Sequence, residues 1–279
     1  MNFVFIADFF SDQILGGGEL NNEEVVLALI NRGHKIAKIN SHIVTPKLIL
    51  DNKSAKFIVA NFMNLSNESR GALISACDYV IYEHDHKYLK TRDPANYPDY
   101  KAPESDIINI EFYRNAKRVL CQSSFHMSII EKNTGLNNVE NLSGNLWSDS
   151  SLQIMEKIAA KNKRDICSIM NSTIPHKNTR GAIQFCEVKN LQYELISSKN
   201  YWQFLEDLGN NKRFAFFPKT PETLSRVAVE ARMMNMSVIL NDKIGASHEP
   251  WFKLKGVELI EEVRKMKIRI TDTVIEAFE

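Results

Sequence analysis

The sequence predicts an α/β fold of doubly wound, parallel-sheet units. Three observations predict it. Short apolar runs without alternation recur along the chain, as strands buried on both faces of a parallel sheet require. Each run is followed by a loop and then by apolar residues at helical spacing. Glycines fall where turns and helix ends need them, so that β–loop–α–β units repeat.

The elements follow in order. "FVFIA" is the first strand, and the glycine turn "GGGELNNEE" leads into a helix, "VVLALINRGHKI", that ends at Arg32-Gly33, with Gly33 in the C′ position. "KIAKIN" is the second strand, "KFIVAN" the third, "NESRGALISA" a helix, and "DYVIYEHD" a strand. "SDIINIEFYRNA" reads as a helix, "KRVLCQS" as a strand, and "SFHMSIIEKNTG" as a helix ended by Gly135. The rhythm lapses from Asn145 to Lys163, which places a linker between a first domain of residues 1–147 and a second of residues 163–279.

The second series begins with the strand "ICSIMN", the helix "NTRGAIQFCEVK" and the strand "QYELIS". It continues with the helix "YWQFLEDLG", the strand "RFAFFP", the helix "PETLSRVAVEARMMN" and the strand "SVILND". "VELIEEVRKM" fits a helix or a strand, and "ITDTVIEAFE" a closing helix that packs back on the first domain. Two successive doubly wound domains imply a cleft between them, and ligands of such sheets bind beyond the carboxyl ends of the strands.

Composition excludes several classes of function. The 279 residues carry 35 basic and 34 acidic side chains, a net charge of +1, so no overall basic character points to nucleic acid. Hydrophobic content of 44 % and charged content of 25 % are those of an ordinary globular protein. Cys77, Cys121, Cys167 and Cys186 form no CxxC pair and read as buried free thiols. The N-terminus has no cationic n-region, and no run approaches ~18 apolar residues, so the expected location is the cytoplasm, a host's cytoplasm if the protein is viral.

Three stretches offer chemistry. In "GGGE", Gly17 and Gly18 let backbone N–H groups approach a ligand at a helix N-terminus, although the spacing is not that of a dinucleotide fingerprint; a flexible turn is the alternative. In "PETLSRVAVEAR", Glu222 and Glu230 lie eight positions apart. On one helix that spacing rotates by about 80° and rises ~12 Å, with the N–H groups of Thr223, Leu224 and Ser225 between them as an anion site. A nucleotide-sugar offers the matching order of sugar hydroxyls, diphosphate and ribose; ordinary surface acids are the alternative. In "YEHDHKYLKTRDP", histidines and acids crowd the end of an apolar strand. A metal pair at His84 and His86 lacks a third ligand cluster.

The chain resembles the retaining glycosyltransferases of family 4, which have the GT-B fold of two Rossmann-like domains facing a cleft. "FFPKTPE" and "VEARMMNMSVIL" are similar to that family's Glu-x7-Glu segment, "GGGE" to its N-domain glycine loop, and "IMNSTIPHKNTRGAIQF" to the first β–loop–α of its nucleotide domain. The resemblance covers most of the chain. It implies transfer of a sugar from a nucleoside-diphosphate sugar, with a UDP-sugar expected, to a glycan or other small acceptor. It further implies retention of configuration, with no metal and no other cofactor. By resemblance His84 faces the donor sugar, Asp85 orients or shapes the pocket, and Glu222 holds the sugar hydroxyls. Lys177 falls on the phosphate-binding lysine, and Glu230 holds the ribose.

The pattern has departures. Asn171-Ser172 stands where the family carries an arginine, with Arg180 as a nearby substitute, and Thr223 replaces a glycine. They keep open an inactive nucleotide-sugar-binding protein of the same fold. "HDH" after an apolar strand also resembles the α-glucosyltransferases that T-even phages direct at hydroxymethylated DNA. The interleaved lysines and tyrosines of Lys87 to Lys101 would suit a DNA backbone.

Overall fold

A computed structural model describes residues 1–198 and 200–279. The chain forms two compact units, Met1–Leu146 with Met266–Glu279, and Trp147–Lys265.

In the first unit the elements run β1 (Asn2–Ala7), α1 (Gly17–Asn31), β2 (Lys35–Asn40), α2 (Pro46–Asp51), β3 (Lys56–Val59), α3 (Asn67–Ala76), β4 (Tyr79–Tyr82), α4 (Ile110–Arg114), β5 (Val119–Cys121), α5 (Ser124–Thr134) and β6 (Val139–Asn141). The six strands pair in parallel in the order β2-β1-β3-β4-β5-β6. β4 and β5 are wholly buried, which is why their sequences are unbroken apolar runs. The edge strand β2 is largely open. Side-chain caps fix the helix starts: Thr45 accepts from Leu48 N–H, Ser66 from Ser69 N–H and Ser123 from His126 N–H. Gly33 and Gly135 take the left-handed conformation (φ 82° and 62°) that ends α1 and α5.

The second unit contains α6 (Asp149–Ala159), β7 (Arg164–Met170), α7 (Thr179–Val188), β8 (Tyr193–Ile196), α8 (Tyr201–Gly209), β9 (Asn211–Phe216), α9 (Arg226–Met233) and β10 (Ser237–Leu240). α10 (Gly256–Glu276) begins in it, and its residues from Met266 onward count with the first unit. The four strands are parallel in the order β10-β9-β7-β8. Each sheet therefore reverses its winding beside its first strand, between β1 and β3 and between β7 and β9. At such switch points the loops diverge and leave room for a ligand.

Two expectations need correction. The residues between 148 and 162 are no linker, because Asp149–Ala159 is helix α6 of the second unit. Ser148 caps it at Ser151 N–H, and Leu152, Met155 and Ile158 are buried. "SDSSLQIMEKIA" was a capped amphipathic helix in plain sight. The helix expected from Pro221 starts only at Arg226, because the preceding residues bond elsewhere. Glu222 N–H donates to Lys243 O and Glu222 O accepts from Gly245 N–H in an isolated parallel bridge to Ile244. Ser225, at φ 75°, then breaks the helical path.

Among the described residues no helix is long and apolar enough to cross a membrane.

Candidate functional site

In the second unit the loops after β7 and β9 leave the sheet at its switch point. Lys177 lies on the first loop and Glu222 on the second. Their side chains meet there, Lys177 Nζ 2.7 Å from Glu222 Oε1, both half-buried. The ammonium also stands 5.9 Å from the centre of the Phe216 ring. The fold thus brings together, from residues 45 positions apart, one cation suited to phosphate and one carboxylate suited to hydroxyls. Among the described residues no three His, Cys, Asp or Glu side chains gather so as to hold a metal ion.

The late start of α9 changes the geometry expected for its neighbours. Thr223, Leu224 and Ser225 precede the helix and do not supply its first-turn N–H groups. Leu224 is buried, and its carbonyl accepts from Ala246 N–H. Ser225 is the N-cap, buried, with its hydroxyl unpartnered among the described residues. The rotation argument linking Glu222 to Glu230 does not apply, since only Glu230 is helical. Glu230 is 3 % exposed. Its Oε1 accepts from the Trp147 indole N–H at 2.9 Å and from the Tyr201 hydroxyl at 2.8 Å. Arg226 lies over the Trp147 ring at 4.3 Å, with Nε 3.7 Å from the same oxygen. Burial raises the Tyr201 hydroxyl far above its usual range, and Glu230 adds to this, so the phenol stays a donor. Arg180 is exposed on α7.

In the first unit the residues of "GGGE" are the N-cap and first turn of α1. Gly16, the N-cap, has φ −128° and Gly17 and Gly18 are helical, so no left-handed backbone is needed. The carboxylate of Glu19 folds back to where a Cβ on Gly16 would stand, so no side chain fits there unless Glu19 moves. Burial raises the Glu19 carboxyl. Gly18 faces the His84 ring, 3.5 Å from the position of an added Cβ.

His84 follows β4, and two amides orient it. The Gln122 amide lies 2.6 Å from Nδ1, and Nε2 lies 2.6 Å from Asn22 Oδ1. Asp85 has no free carboxylate. Lys87 Nζ holds one oxygen at 2.8 Å and Arg92 grips the other with Nε, at 3.0 Å, and Nη2. Burial opposes its ionisation, but Lys87 and Arg92 outweigh burial and hold it well below the usual carboxylate range. Beneath the turn lies Glu83, fully buried. Its Oε1 accepts from His84 N–H, Asp85 N–H and the Lys87 ammonium, and its Oε2 from the Tyr113 hydroxyl. Burial raises Glu83. Lys87 is itself raised, because Asp85 and Glu83 outweigh the burial that would discharge it.

The histidine next in the motif is structural. His86 is buried, bonded through Nδ1 to the Tyr88 hydroxyl at 2.9 Å, and burial pushes it down to about 4. His126 donates from Nε2 to Asp85 O at 3.0 Å, and burial holds it well below its usual value. A base depressed in the folded state binds its proton more readily when unfolded. Its contribution is full above about 6.5 and is lost as pH falls toward 4. Stability should therefore fall over that window by up to about 3 kcal/mol for His86. Thermal melts across pH should show a flatter acid slope for His86→Phe; an unchanged slope removes His86 as the cause.

Sequence reasoning did not find Asn22, Gln122, Glu83, Lys87, Trp147, Tyr201 or Arg226 as partners of the site. Trp202, which neighbours Tyr201 on α8, is 41 % exposed. The tyrosines and cations of Lys87 to Lys101 are only partly open, with Lys90, Arg92 and Lys101 exposed. Lys87 and Tyr88 are buried, Lys90 pairs with Asp106, and Lys101 bonds Lys132 O. A groove of about 670 Å³ in this unit, lined by Lys101, Glu104, Arg114 and Asn133, contains none of the expected site residues.

No protein-family model matches the chain, and no curated protein does. Solved structures match over its whole length. The catalytic domain of starch synthase IV from Arabidopsis thaliana, bound to ADP and acarbose, is 10 % identical with a TM-score of 0.66, covering 99 % of this chain and 98 % of that one. The fold is of the GT-B type. Anabaena Alr3699/HepE, in complex with UDP and glucose, is 14 % identical with a TM-score of 0.56, covering 100 % of this chain and 92 % of that one. An α-glucosyltransferase in complex with UDP and a 13-mer DNA containing an HMU base is 11 % identical with a TM-score of 0.54, covering 100 % and 95 %.

Proposed function

We propose that the protein is a glycosyltransferase that moves a sugar from a nucleoside-diphosphate sugar to an acceptor. The observation that carries this reading is the Lys177–Glu222 pair at the switch point of the second sheet. Structures of the same fold hold UDP or ADP, which supports a nucleotide donor, with a UDP-sugar as the expected one. In this reading Lys177 takes the diphosphate and neutralises it as it leaves, work done elsewhere by a divalent ion, so transfer proceeds without metal. Retention of configuration is what the resemblance to the retaining family implies. Glu222 takes sugar hydroxyls and Glu230 the ribose. His84, held by Asn22 and Gln122, acts in the transfer step, and Asp85 acts by tying the turn that carries His84.

The test is calorimetry and turnover together. UDP should bind, and Lys177→Ala should weaken it roughly tenfold or more, the size of a charge-assisted hydrogen bond. Hydrolysis of UDP-sugars should survive EDTA. UDP affinity unchanged in Lys177→Ala would overturn the assignment, and turnover restored only by Mn²⁺ would overturn metal independence.

DNA as acceptor is a second reading, favoured by the α-glucosyltransferase structure that carries DNA. The burial of Lys87 and Tyr88 narrows that stretch as its contact surface to the exposed Lys90, Arg92 and Lys101.

A further inference from the structure

The loops that follow β1, β2 and β3 share one buried clasp. Asp8 takes the Met63 N–H on Oδ2 and the Asn64 N–H on Oδ1, both at 3.1 Å, and the Ser41 hydroxyl also bonds Oδ1. Its carbonyl accepts from Asn40 Nδ2 at 3.0 Å. The β1 loop is closed on itself as well. Gln13 N–H and Ile14 N–H donate to Phe10 O, and Phe10 N–H donates to Gln13 Oε1. The Gln13 and Asn40 side-chain amides bond each other. The three strands are neighbours in the order β2-β1-β3, so these loops crowd the carboxyl end of the sheet at its switch point, where such folds bind ligands.

On this tied framework five large apolar side chains stand in solvent. Phe9, Ile14 and Leu15 come from the β1 loop, Ile43 follows β2 and Met63 follows β3, and all are 42 to 56 % exposed. Apolar side chains gathered in one place on a surface mark a binding face. The face is also nearly uncharged. Asp12 is the one formal charge among residues 9–15, 41–45 and 60–65, so a phosphate backbone would find no lysine or arginine there. The β1 loop runs directly into residues 16–18, and Gly18 puts no side chain between α1 and the His84 ring.

We infer that this face receives the acceptor, and that the acceptor carries an uncharged apolar portion, alkyl or aryl, attached to the part whose hydroxyl takes the sugar. The inference rests on the glycosyltransferase reading above and names the acceptor's class. Binding there removes both the side chains and the acceptor's apolar surface from water, so each methylene laid on the face adds to affinity. The hydrogen-bonded loops hold the face ready, so little ordering is left to oppose binding.

The experiment is calorimetric titration, with UDP present, of octyl β-glucoside below its micelle-forming concentration and of methyl β-glucoside. The octyl compound should bind roughly tenfold or more tightly, the effect of burying about two of its methylenes. It should also shift the Met63 methyl resonance in protein labelled at its methionine methyls, with Met63→Leu giving the assignment. Phe9→Asn combined with Leu15→Asn should bring the two glucosides within about twofold of each other. Leu27→Asn, at an exposed leucine about 15 Å along α1 from its first residue, should leave the preference in place. These side chains are exposed, so the variants keep the fold, which thermal melts check. No preference for the octyl compound in the unaltered protein, or a preference that survives the double variant, overturns the inference, while UDP binding leaves the donor reading standing. A dimer in sedimentation that the double variant dissolves gives the face to a second copy and overturns the inference. Failure of UDP to bind overturns the donor reading and, with it, the acceptor role of the face.

Discussion

Replacing Lys87 by methionine is expected to destabilise the protein by about 3–5 kcal/mol, the cost of stranding a buried charge. Lys87 is fully buried with its ammonium on Glu83 and Asp85. Methionine fills a similar volume but leaves Glu83, also fully buried, with two backbone N–H groups and the Tyr113 hydroxyl as its donors. Burial already raises Glu83 in the intact protein, and removing its cation raises it further. A carboxyl raised in the folded state binds its proton more tightly there than when unfolded. Its contribution is full below the unfolded value and is lost as pH rises toward the folded one. The deficit of Lys87→Met against the intact protein should therefore be smaller at pH 5 than at pH 8. Adding Glu83→Gln should recover part of the loss, because no charge then remains unpaired. Urea titrations at the two pH values measure this. A deficit below about 1 kcal/mol, or one that does not grow with pH, shows that the pair does not hold the turn.

Glu222→Gln is expected to lower kcat by on the order of 10²-fold, the size of one lost electrostatic contact at a reacting centre. As the bond to phosphate breaks, the sugar ring gains positive charge, and a nearby carboxylate matters more to that state than to the ground state. UDP affinity should persist or tighten, because Glu222 also holds Lys177 Nζ at 2.7 Å and its neutralisation frees that ammonium for phosphate. Glu230→Gln should behave differently, raising KM more than it lowers kcat, since a ribose contact is the same in both states. Steady-state kinetics beside UDP titration distinguish them. If both variants keep near-full kcat and KM, the Glu-x7-Glu assignment is wrong, and Glu222 and Glu230 are ordinary acids outside the donor site.

Local patterning carried most of the architecture. The run "FVFIA" lies within strand β1, "KFIVAN" and "DYVIY" contain strands β3 and β4, and "NESRGALISA" is a helix residue for residue, because burial on both faces and helical spacing leave direct marks on a chain. Gly33 and Gly135 marked helix ends because glycine reaches their left-handed backbone angles at least cost. The short elements were missed or stretched. β6 has three residues and α4 five, too few for a period to show. The strong helix pattern of "PETLSRVAVEAR" misled, because a helix start is decided by where the preceding backbone groups find partners. Those of Glu222 find theirs across the fold, at Lys243 and Gly245.

The site divides along the same line. The sequence by itself determined which chemistry is carried: a lysine and two glutamates in the second unit, a histidine motif at a strand end in the first, and α/β units to hold them. Only the tertiary structure decided what each group is free to do. It paired Lys177 with Glu222 across two loops, set Trp147 and Tyr201 on one oxygen of Glu230, fixed His84 between Asn22 and Gln122, and consumed Asp85 in ion pairs with Lys87 and Arg92. The physical reason is that a side chain's chemical type is written in the chain one residue at a time. Its charge state and its unoccupied lone pairs depend on neighbours that a parallel sheet gathers from loops tens of residues apart.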